Sequence, residues 1–325
     1  MPSSPLVTLR DIYLAQSRIE PLVRRTPYAF SEILSERVGS QVGFKLENLQ
    51  ITGSFKIRGA ANKLLSLSDE ERAAGVVVVS SGNHGRAVAY VAGRLGIRAT
   101  ICVSSRVPLH KVDAIRTLGA EVEIVGERQE DAEVRAADLV KNRGLTYVNP
   151  FDDLEVIAGQ GTVGLEILRQ SPKVKSVIVP LSGGGLISGI ALVMNSTDPA
   201  ISVIGVTMER GPAMYLSLDA GTPVTVDEQE TLADALIGGI GIENQYTLEI
   251  CNRFVDDVIL VSEEEIADAM MFAYSEHRLI LEGAGAVGIA ALLAGKAEAR
   301  EETTVVLSGG NVELGRFKAV MEGCC

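Results

Sequence analysis

Three apolar, β-branched runs of this chain each end in a loop rich in serine and glycine. Runs of this composition predict strands, and a helical pattern follows two of the three loops. The pairs of run and loop are residues 76–79 with 80–85, 176–181 with 182–185, and 303–307 with 308–311. A strand that enters a helix through a short loop is typical of a parallel α/β fold, in which ligands collect at the carboxyl ends of the strands.

The same alternation of strand and helix continues along the chain. A length of 325 residues with 46% hydrophobic content suits one large or two medium domains. No low-complexity linker divides the halves, so two domains would share a tight interface. Further strands are predicted at residues 99–103, 122–125, 201–206 and 258–261, and helices over 84–95, over 131–142 and from Leu186.

Charge and hydropathy argue against several classes of partner. The formal net charge is -12 and no stripe of lysine and arginine is present, so no nucleic acid is expected. The longest uncharged run, residues 176–197, is broken by Pro180 and three consecutive glycines, so no membrane span is expected. Residues 1–30 lack an apolar core of signal-peptide length, and we therefore expect a cytoplasmic protein.

The cysteine and histidine residues show no metal-ligand spacing. A chain of this size needs no disulfide framework, so we interpret the cysteines as structural or incidental. Only one histidine, His84, lies in a motif. The residues concerned are Cys102, Cys251, Cys324, Cys325, His84, His110 and His277.

The peptide TGSFKIRG places a lysine where its amine can lose its charge. We expect Thr52 or Ser54 to cap a helix that starts near Phe55, with Lys56 in its first turn. Burial by Phe55 and a cationic neighbour such as Arg58 would favour the neutral amine that Schiff-base formation requires. If this peptide stood alone, an ordinary surface lysine would be the better interpretation.

The glycine-rich loops are candidates for binding anions. In residues 182–185, three consecutive glycines stand at a strand-to-helix turn, where their amides suit a phosphate. A simple turn would not require the backbone entropy that three glycines cost. The loops at 80–85 and 308–311 could each be an ordinary capped loop, but their recurrence favours a shared ligand site.

Two other segments, residues 159–164 and 283–288, match the glycine spacing of dinucleotide-binding loops. Neither follows a β-branched strand, so we predict that their small residues serve close helix packing. A nicotinamide enzyme is therefore the weaker alternative.

Five motifs, in family order, resemble those of the fold-type II pyridoxal-phosphate enzymes of the serine/threonine dehydratase and serine racemase family. The resemblance covers nearly the whole chain. It implies a tryptophan synthase β-like α/β fold of two open, twisted parallel-sheet domains, with pyridoxal 5'-phosphate in the cleft and an amino acid as substrate. It also implies a homodimer, a large domain of residues 1–51 and 152–325, and a small domain of residues 52–151. The motifs are residues 45–48 with 52–59, 80–85, 158–162, 182–186 and 308–311.

The resemblance also implies roles for individual residues. Lys56 would form the Schiff base with the cofactor, and Phe55 would lie against its ring. Asn83 would bond the ring hydroxyl, and Ser308 would face the pyridine nitrogen. The phosphate would be held by Ser182, Gly183, Gly184, Gly185 and Leu186. The substrate α-carboxylate would be held by Ser80, Ser81, Gly82, Asn83 and His84.

The expected reaction depends on Ser308. A hydroxyl does not hold a proton on the ring nitrogen as a carboxylate would, so the ring is a weaker electron sink and elimination is favoured over transamination. We expect a lyase that removes water from a β-hydroxy amino acid of the serine or threonine type and gives a 2-oxo acid and ammonia. Thr207 stands where racemase-like members place a metal-binding carboxylate, with Glu209 two residues later, so we expect no metal.

Three alternatives stay open. Ser81 lies where serine racemases carry an opposite-face acid/base and where many threonine dehydratases have alanine, so the chain could be a racemase. Residues 211–215 and 233–241 are more similar to the hydroxyectoine-utilisation dehydratase branch, which would imply an unusual hydroxy amino acid as substrate. A non-catalytic amino-acid-binding protein is the third alternative, and the intact Lys56 disfavours it.

Overall fold

The computed structural model describes residues 7–323 and arranges its strands in two sheets. The strands are β1 (Tyr28–Phe30), β2 (Gln41–Lys45), β3 (Val76–Val79), β4 (Ala99–Val103), β5 (Glu121–Ile124), β6 (Thr146–Tyr147), β7 (Ser176–Pro180), β8 (Ser202–Met208), β9 (Asp257–Val261) and β10 (Glu302–Val306). One sheet has the order β1-β2-β10-β7-β8-β9 and the other the order β5-β4-β3-β6. Within residues 7–323 every pairing except that of β1 with β2 is parallel, which confirms the parallel α/β prediction.

Helices connect the strands and cover both sheets. They are α1 (Leu9–Ile19), α2 (Glu32–Val38), α3 (Lys56–Leu65), α4 (Asp69–Ala74), α5 (Asn83–Leu95), α6 (Leu109–Thr117), α7 (Gln129–Arg143), α8 (Leu154–Gln170), α9 (Gly185–Thr197), α10 (Ala213–Ala220), α11 (Thr247–Phe254), α12 (Glu263–His277), α13 (Gly283–Leu293) and α14 (Leu314–Met321). Helices cover both faces of strand β3. Val76 and Val78 pack with residues of α5, whereas Val77 and Val79 pack with residues of α7. A strand covered on both faces reads as a continuous apolar run.

The sheet order brings two of the predicted ligand loops together. Strands β7 and β10 are parallel neighbours, so the loops that follow them, at 181–184 and 307–313, leave the same edge of the sheet. The loop that follows β3 belongs to the other sheet. The strands of the four-stranded sheet all lie within residues 52–151, and those of the six-stranded sheet lie outside that range. The division of the chain into two domains at these positions stays a prediction.

The two glycine-spaced segments lie inside buried helices. Residues 159–164 belong to α8 and residues 283–288 to α13. A Cβ on Gly159 would lie 2.5 Å from the backbone oxygen of Arg58, which shows how closely α8 and α3 approach. Close packing of one helix on another is therefore confirmed for residues 159–164, whereas in residues 283–288 a Cβ on Gly285 would lie 2.3 Å from the Gly309 backbone oxygen, so that segment packs closely against a loop. The sequence did not predict β1, β2 and β6; β1 and β6 have three and two residues and lie at sheet edges, whereas β2 has five residues and lies between β1 and β10.

Two further observations concern the membrane and the cysteines. Within residues 7–323, no helix is both long enough and apolar enough to cross a bilayer. Cys102 and Cys251 are buried and free. Cys324 and Cys325 lie outside the described residues.

A buried ion cluster ties α3 to β2 and α8. The Arg58 guanidinium donates from Nε to Glu47 Oε2 and from Nη1 to Glu166 Oε1, both at 2.8 Å. Lys45 pairs with the same Glu166 carboxylate. The side chains of Lys45, Glu47 and Arg58 are at most 1% exposed and that of Glu166 is 6% exposed. Glu166 serves both cations, so its removal would leave Lys45 buried without its ion-pair partner and Arg58 with only one of its two carboxylates.

We therefore predict that Glu166→Ala lowers the free energy of unfolding by about 3–5 kcal/mol, because the buried Lys45 would lose its ion-pair partner and Arg58 one of its two carboxylates. Chemical denaturation of the purified protein measures this loss. Lys296→Met is the matched control, since Lys296 forms ion pairs with Glu209 and Glu265 at a side-chain exposure of 35%. Its expected cost is below about 1 kcal/mol. Equal losses in the two variants would contradict the prediction.

Candidate active site

Lys56 is the first residue of α3, and its side chain is half buried. Its Nζ donates a hydrogen bond to the Pro150 carbonyl oxygen at 2.8 Å. The expected cap is wrong: Phe55 is the N-cap residue and no side chain caps the helix. The hydroxyl oxygens of Thr52 and Ser54 are instead buried without a hydrogen-bond partner. They are therefore available to a bound ligand.

Burial makes the Lys56 amine easier to deprotonate. Desolvation lowers the pKa of Lys56 from 10.5 to about 8, and the nearby Glu282 carboxylate opposes this shift. The expected contribution of Arg58 is wrong, because its guanidinium is engaged by Glu47 and Glu166 in the ion cluster. The Phe55 ring centroid lies 5.3 Å from Lys56 Nζ, so the predicted contact of the amine with this aromatic ring is present.

The triglycine loop forms a buried, open helix start. Helix α9 begins at Gly185, and its N-cap residue Gly184 has a left-handed backbone with φ +87° and supplies no side-chain cap. A Cβ on Gly183 would lie 2.3 Å from Phe151 Cδ1, so a larger residue would displace that ring. The first amides of α9 are thus presented without side-chain competition, as anion-binding helix starts require. Ser182 precedes this start and Leu186 lies in the first turn of α9.

The loop after β3 provides a second open helix start. Helix α5 begins at Asn83, and its N-cap residue Gly82 makes no side-chain cap. Ser80 Oγ accepts a long hydrogen bond from the Gly82 amide at 3.4 Å, and Ser81 is half buried. The first amides of α5 can therefore bind an anion such as a carboxylate.

His84 lies in the first turn of α5. Its imidazole ring is neutral and is held by a hydrogen bond to the backbone. Its Nε2 lies 2.9 Å from the Val148 carbonyl oxygen and donates to it, since a carbonyl only accepts. Desolvation lowers the pKa of His84 to about 3, with a further contribution from Lys56. The Nδ1 atom is buried without a hydrogen-bond partner. His84 can accept a hydrogen bond at Nδ1, but it does not supply a positive charge to a carboxylate.

The loop after β10 is joined to the Lys56 loop. The Phe55 amide donates to the Ser308 carbonyl oxygen at 3.0 Å, and Ser54 pairs with Gly309 in an isolated β-bridge. Ser308 is buried, and its Oγ makes a long contact of 3.4 Å with the Ala284 carbonyl oxygen. Backbone contacts therefore hold the Lys56 and Ser308 loops side by side.

Glu282 is a site residue that the sequence did not reveal. Its Oε1 accepts a hydrogen bond from Asn83 Nδ2 at 2.7 Å, although the two residues are 199 positions apart. Its only sequence signal is a carboxylate immediately before the apolar run of α13. Burial and the charge of Asp234 raise the pKa of Glu282 to about 7. The structure thus brings a buried carboxyl beside Asn83 and within electrostatic range of Lys56.

Thr207 and Glu209, near the position where racemase-like members place a metal-binding carboxylate, contact other side chains. Thr207 Oγ1 donates to Met208 Sδ at 3.4 Å, and Glu209 pairs with Lys296. The part of the chain that the structure describes contains no group of three or more His, Cys, Asp and Glu side chains that could hold a metal ion.

Comparison with known proteins identifies the family. Residues 19–309 match the model of the "Pyridoxal-phosphate dependent enzyme" family. This chain belongs to that family. It is 52% identical over 318 residues to a "Putative threonine dehydratase" of Sinorhizobium fredii, a match that covers 98% of this chain and 96% of that protein. It is 43% identical to the "L-threonine ammonia-lyase" of Thermotoga maritima, with coverage of 97% and 78%.

A solved structure agrees with this family. The structure of maize serine racemase superimposes with a TM-score of 0.92 at 35% identity and covers 98% of both chains. The fold-type II prediction is confirmed, and the cofactor of the family is pyridoxal phosphate.

The residues of this site fit that cofactor. The open start of α9 suits its phosphate, and the half-buried Lys56 amine suits its aldehyde. The buried Thr52 Oγ1, Ser54 Oγ and His84 Nδ1 atoms have no hydrogen-bond partner, so they can bond to a ligand at this site. The individual contacts of Lys56, Phe55, Asn83, residues 182–186 and Ser308 with the cofactor stay predictions.

We predict that Gly183→Ala weakens the binding of pyridoxal phosphate by at least about tenfold, because the added methyl group would overlap the Phe151 ring and shift the loop of residues 182–185. Equilibrium dialysis measures the dissociation constant. The matched control is Gly315→Ala in α14, where a Cβ meets no atom within 4 Å. Unchanged affinity in Gly183→Ala would exclude this loop as the phosphate site.

Proposed function

We propose that the protein is a pyridoxal-phosphate-dependent dehydratase, or ammonia-lyase, that removes water from a β-hydroxy amino acid of the L-serine or L-threonine type. The products are a 2-oxo acid and ammonia. The observation that carries the proposal is the desolvated amine of Lys56, whose helix α3 packs against both α5, with its open start, and α8. Relatives named as threonine dehydratase and L-threonine ammonia-lyase support the reaction.

Each helix start has a distinct task in this proposal. The amides at the start of α9 bind the cofactor phosphate, and those at 81–85 bind the substrate carboxylate, which orients the substrate. Lys56 would hold the cofactor through its amine, and its free amine would accept the α-proton of the substrate at Nζ. Its pKa of about 8 gives an appreciable neutral fraction near neutral pH. The bound cofactor supplies the electron sink for the electrons of the broken Cα–H bond.

Ser308 directs this chemistry towards elimination. We propose that its hydroxyl faces the pyridine nitrogen, and its burial at the end of β10 supports this. Since a hydroxyl does not keep that nitrogen protonated, charge on Cα is better relieved by loss of the β-hydroxyl than by storage in the ring.

Ser81 supports a second candidate function, racemisation. Its side chain is half buried in the loop before α5, and maize serine racemase shares 35% identity with this chain. A hydroxyl on the face opposite Lys56 would return a proton with inversion. A hydroxyectoine-derived hydroxy amino acid is an alternative substrate for the lyase, suggested by residues 211–215 and 233–241.

The test is a panel of β-hydroxy amino acids with 2-oxo acid, ammonia and the substrate enantiomers measured together. We expect equal amounts of 2-oxo acid and ammonia, and a loss of roughly 10²–10⁴-fold in turnover for Lys56→Ala. Borohydride reduction followed by peptide mass mapping should find the cofactor on Lys56 in the wild type and in the control Lys63→Ala. Lys63 lies on the same helix and pairs with Asp153. Full activity in Lys56→Ala would overturn the proposal, and inversion that Ser81→Ala abolishes would establish the second candidate.

We further propose a cytoplasmic homodimer. Four exposed apolar side chains come from neighbouring loops and helix starts: Leu49 at 42%, Ile51 at 38%, Ile280 at 49% and Leu314 at 66% exposure. Asn48 Nδ2 donates to the Ile280 carbonyl oxygen at 3.4 Å, which links two of these segments. Exposed apolar side chains on linked segments favour self-association. The free thiols of Cys102 and Cys251 agree with a reducing compartment.

For the dimer, we predict a molar mass of twice 34.5 kDa in sedimentation for the wild type and of one chain for Ile280→Glu, because a buried carboxylate would oppose association. Val134→Glu is the control, since Val134 is 71% exposed on α7, away from this cluster. An identical mass for both variants would show that Ile280 is not at the interface.

A further inference from the structure

A chain of hydrogen bonds fixes the orientation of the Asn83 carboxamide. It begins at the Thr52 carbonyl oxygen, which can only accept, and to which Asn311 Nδ2 donates at 2.8 Å. The same Asn311 Nδ2 donates to Asn83 Oδ1 at 2.6 Å. Asn83 Nδ2 must then be the atom 2.7 Å from Glu282 Oε1, to which it donates. The two amide assignments therefore follow from a backbone carbonyl at one end and a carboxyl at the other.

One hydrogen of Asn83 Nδ2 is left over. The carboxamide nitrogen has two N–H groups, of which Glu282 takes one, whereas its oxygen already accepts from Asn311. A flipped amide would place its nitrogen against the donor Asn311 Nδ2, so that contact would be lost, and its oxygen would face the Glu282 carboxylate, which cannot donate when it is ionised. The network thus presents a donor, rather than an acceptor, as the free group of Asn83.

The Glu282 side chain contacts Asn83 and does not cap its own helix. It is the N-cap residue of α13 but forms no side-chain cap, and it is 4% exposed. Its amide donates to the Gly309 carbonyl oxygen at 3.2 Å, and a Cβ on Gly309 would lie 2.1 Å from Glu282 Oε1. The glycine of the Ser308 loop therefore leaves the space in which the carboxyl reaches Asn83.

We propose that Glu282 is a positioning residue that, together with Asn311, holds the Asn83 carboxamide so that its free Nδ2 hydrogen points to the ring hydroxyl oxygen of pyridoxal phosphate. The inference rests on the proposed function, in which Asn83 contacts that oxygen. Glu282 acts through Asn83, and it need not touch the substrate. Because the network joins the loops of Lys56, Asn83 and Ser308, the same contact also fixes the mutual position of the three.

The charge of Glu282 adds a second, measurable effect. Its carboxylate raises the pKa of Lys56, against the larger effect of burial. The charged groups that face Glu282 are Lys56 from α3, Arg86 from α5 and Asp234 from the turn before α11. An anion beside the cationic Lys56–cofactor linkage favours the protonated form of that linkage, so its loss lowers the pKa of the linkage.

The first experiment is a double-mutant cycle on the affinity of the protein for pyridoxal phosphate, measured by equilibrium dialysis. We expect Glu282→Ala and Asn83→Ala each to weaken binding by about tenfold, and the double variant to match Asn83→Ala within about twofold, because both changes remove one contact. Glu282→Gln, which keeps an acceptor, should retain most of the affinity. Multiplicative losses in the double variant would overturn the proposal.

The second experiment follows the visible absorbance of the holoenzyme against pH for the wild type, Glu282→Gln and the control Glu265→Gln. Glu265 belongs to the capping box of α12 and pairs with Lys296, so its change removes one carboxylate elsewhere. We expect the band of the protonated linkage to disappear at lower pH in Glu282→Gln than in the other two proteins. Identical titrations in all three would overturn the role of Glu282.

The two proposals fail in different ways. If the wild type has no visible band and borohydride does not fix the cofactor to Lys56, the proposed function is wrong. If the wild type has both and the Glu282 variants behave like Glu265→Gln, the positioning role alone is wrong. Melting curves of each variant identify a folding defect, and Glu282→Gln, which preserves the size of the side chain, decides the outcome if Glu282→Ala does not fold.

Discussion

The interaction on which the site depends is the buried ion cluster around Arg58. Lys56 and Arg58 are two residues apart on α3, which separates their side chains by about 200° around the helix axis. When Arg58 pairs with Glu47 and Glu166, Lys56 points to the other side of the helix, where its Nζ donates to the Pro150 carbonyl oxygen. A buried ion pair adds little net stability compared with an apolar replacement, but it strongly penalises any arrangement that breaks it. The cluster therefore fixes the rotation of the helix that carries the amine.

The acidity of the chain makes local anion binding necessary. With a net charge of -12, the protein as a whole repels a phosphate or a carboxylate, so the attraction must come from nearby dipoles. Helices α5 and α9 begin at glycine caps that leave their first amides open. Helices α1, α4 and α12, outside these loops, begin instead with capping boxes formed by Thr8, Ser68 and Ser262. Helices α3, α6, α10, α11, α13 and α14 also lack a side-chain cap, but each of them has a residue other than glycine at the N-cap position, whereas α5 and α9 have glycine there.

The features that could be predicted from the sequence are those determined by neighbouring residues. Strand β3, with four consecutive valines, and the glycine loop before α9 have signals that come from neighbouring residues, and the structure places both as expected. Strands β1 and β6 have only three and two residues, and β2 depends on pairing with β10, which lies far away in the sequence. The expected influence of Arg58 on Lys56 failed for the same reason. Sequence proximity suggested a neighbour, but partners at Glu47 and Glu166 direct the guanidinium away.

Glu282 shows the limit of sequence reasoning most clearly, because its partners are distant in the sequence. Asn83 is 199 positions away and Asn311 is 29 positions away. Burial acts on it and on Lys56 in opposite directions: it lowers the pKa of the amine to about 8 and raises that of the carboxyl to about 7. Both groups therefore change protonation state near neutral pH, although one is a base and the other an acid. A site with this balance can exchange protons without creating an isolated buried charge, because a charge that forms on either group is stabilised by the opposite charge of the other. Desolvation of two distant residues, brought together by the fold, thus gives the pocket a chemical property that neither residue has in its own peptide.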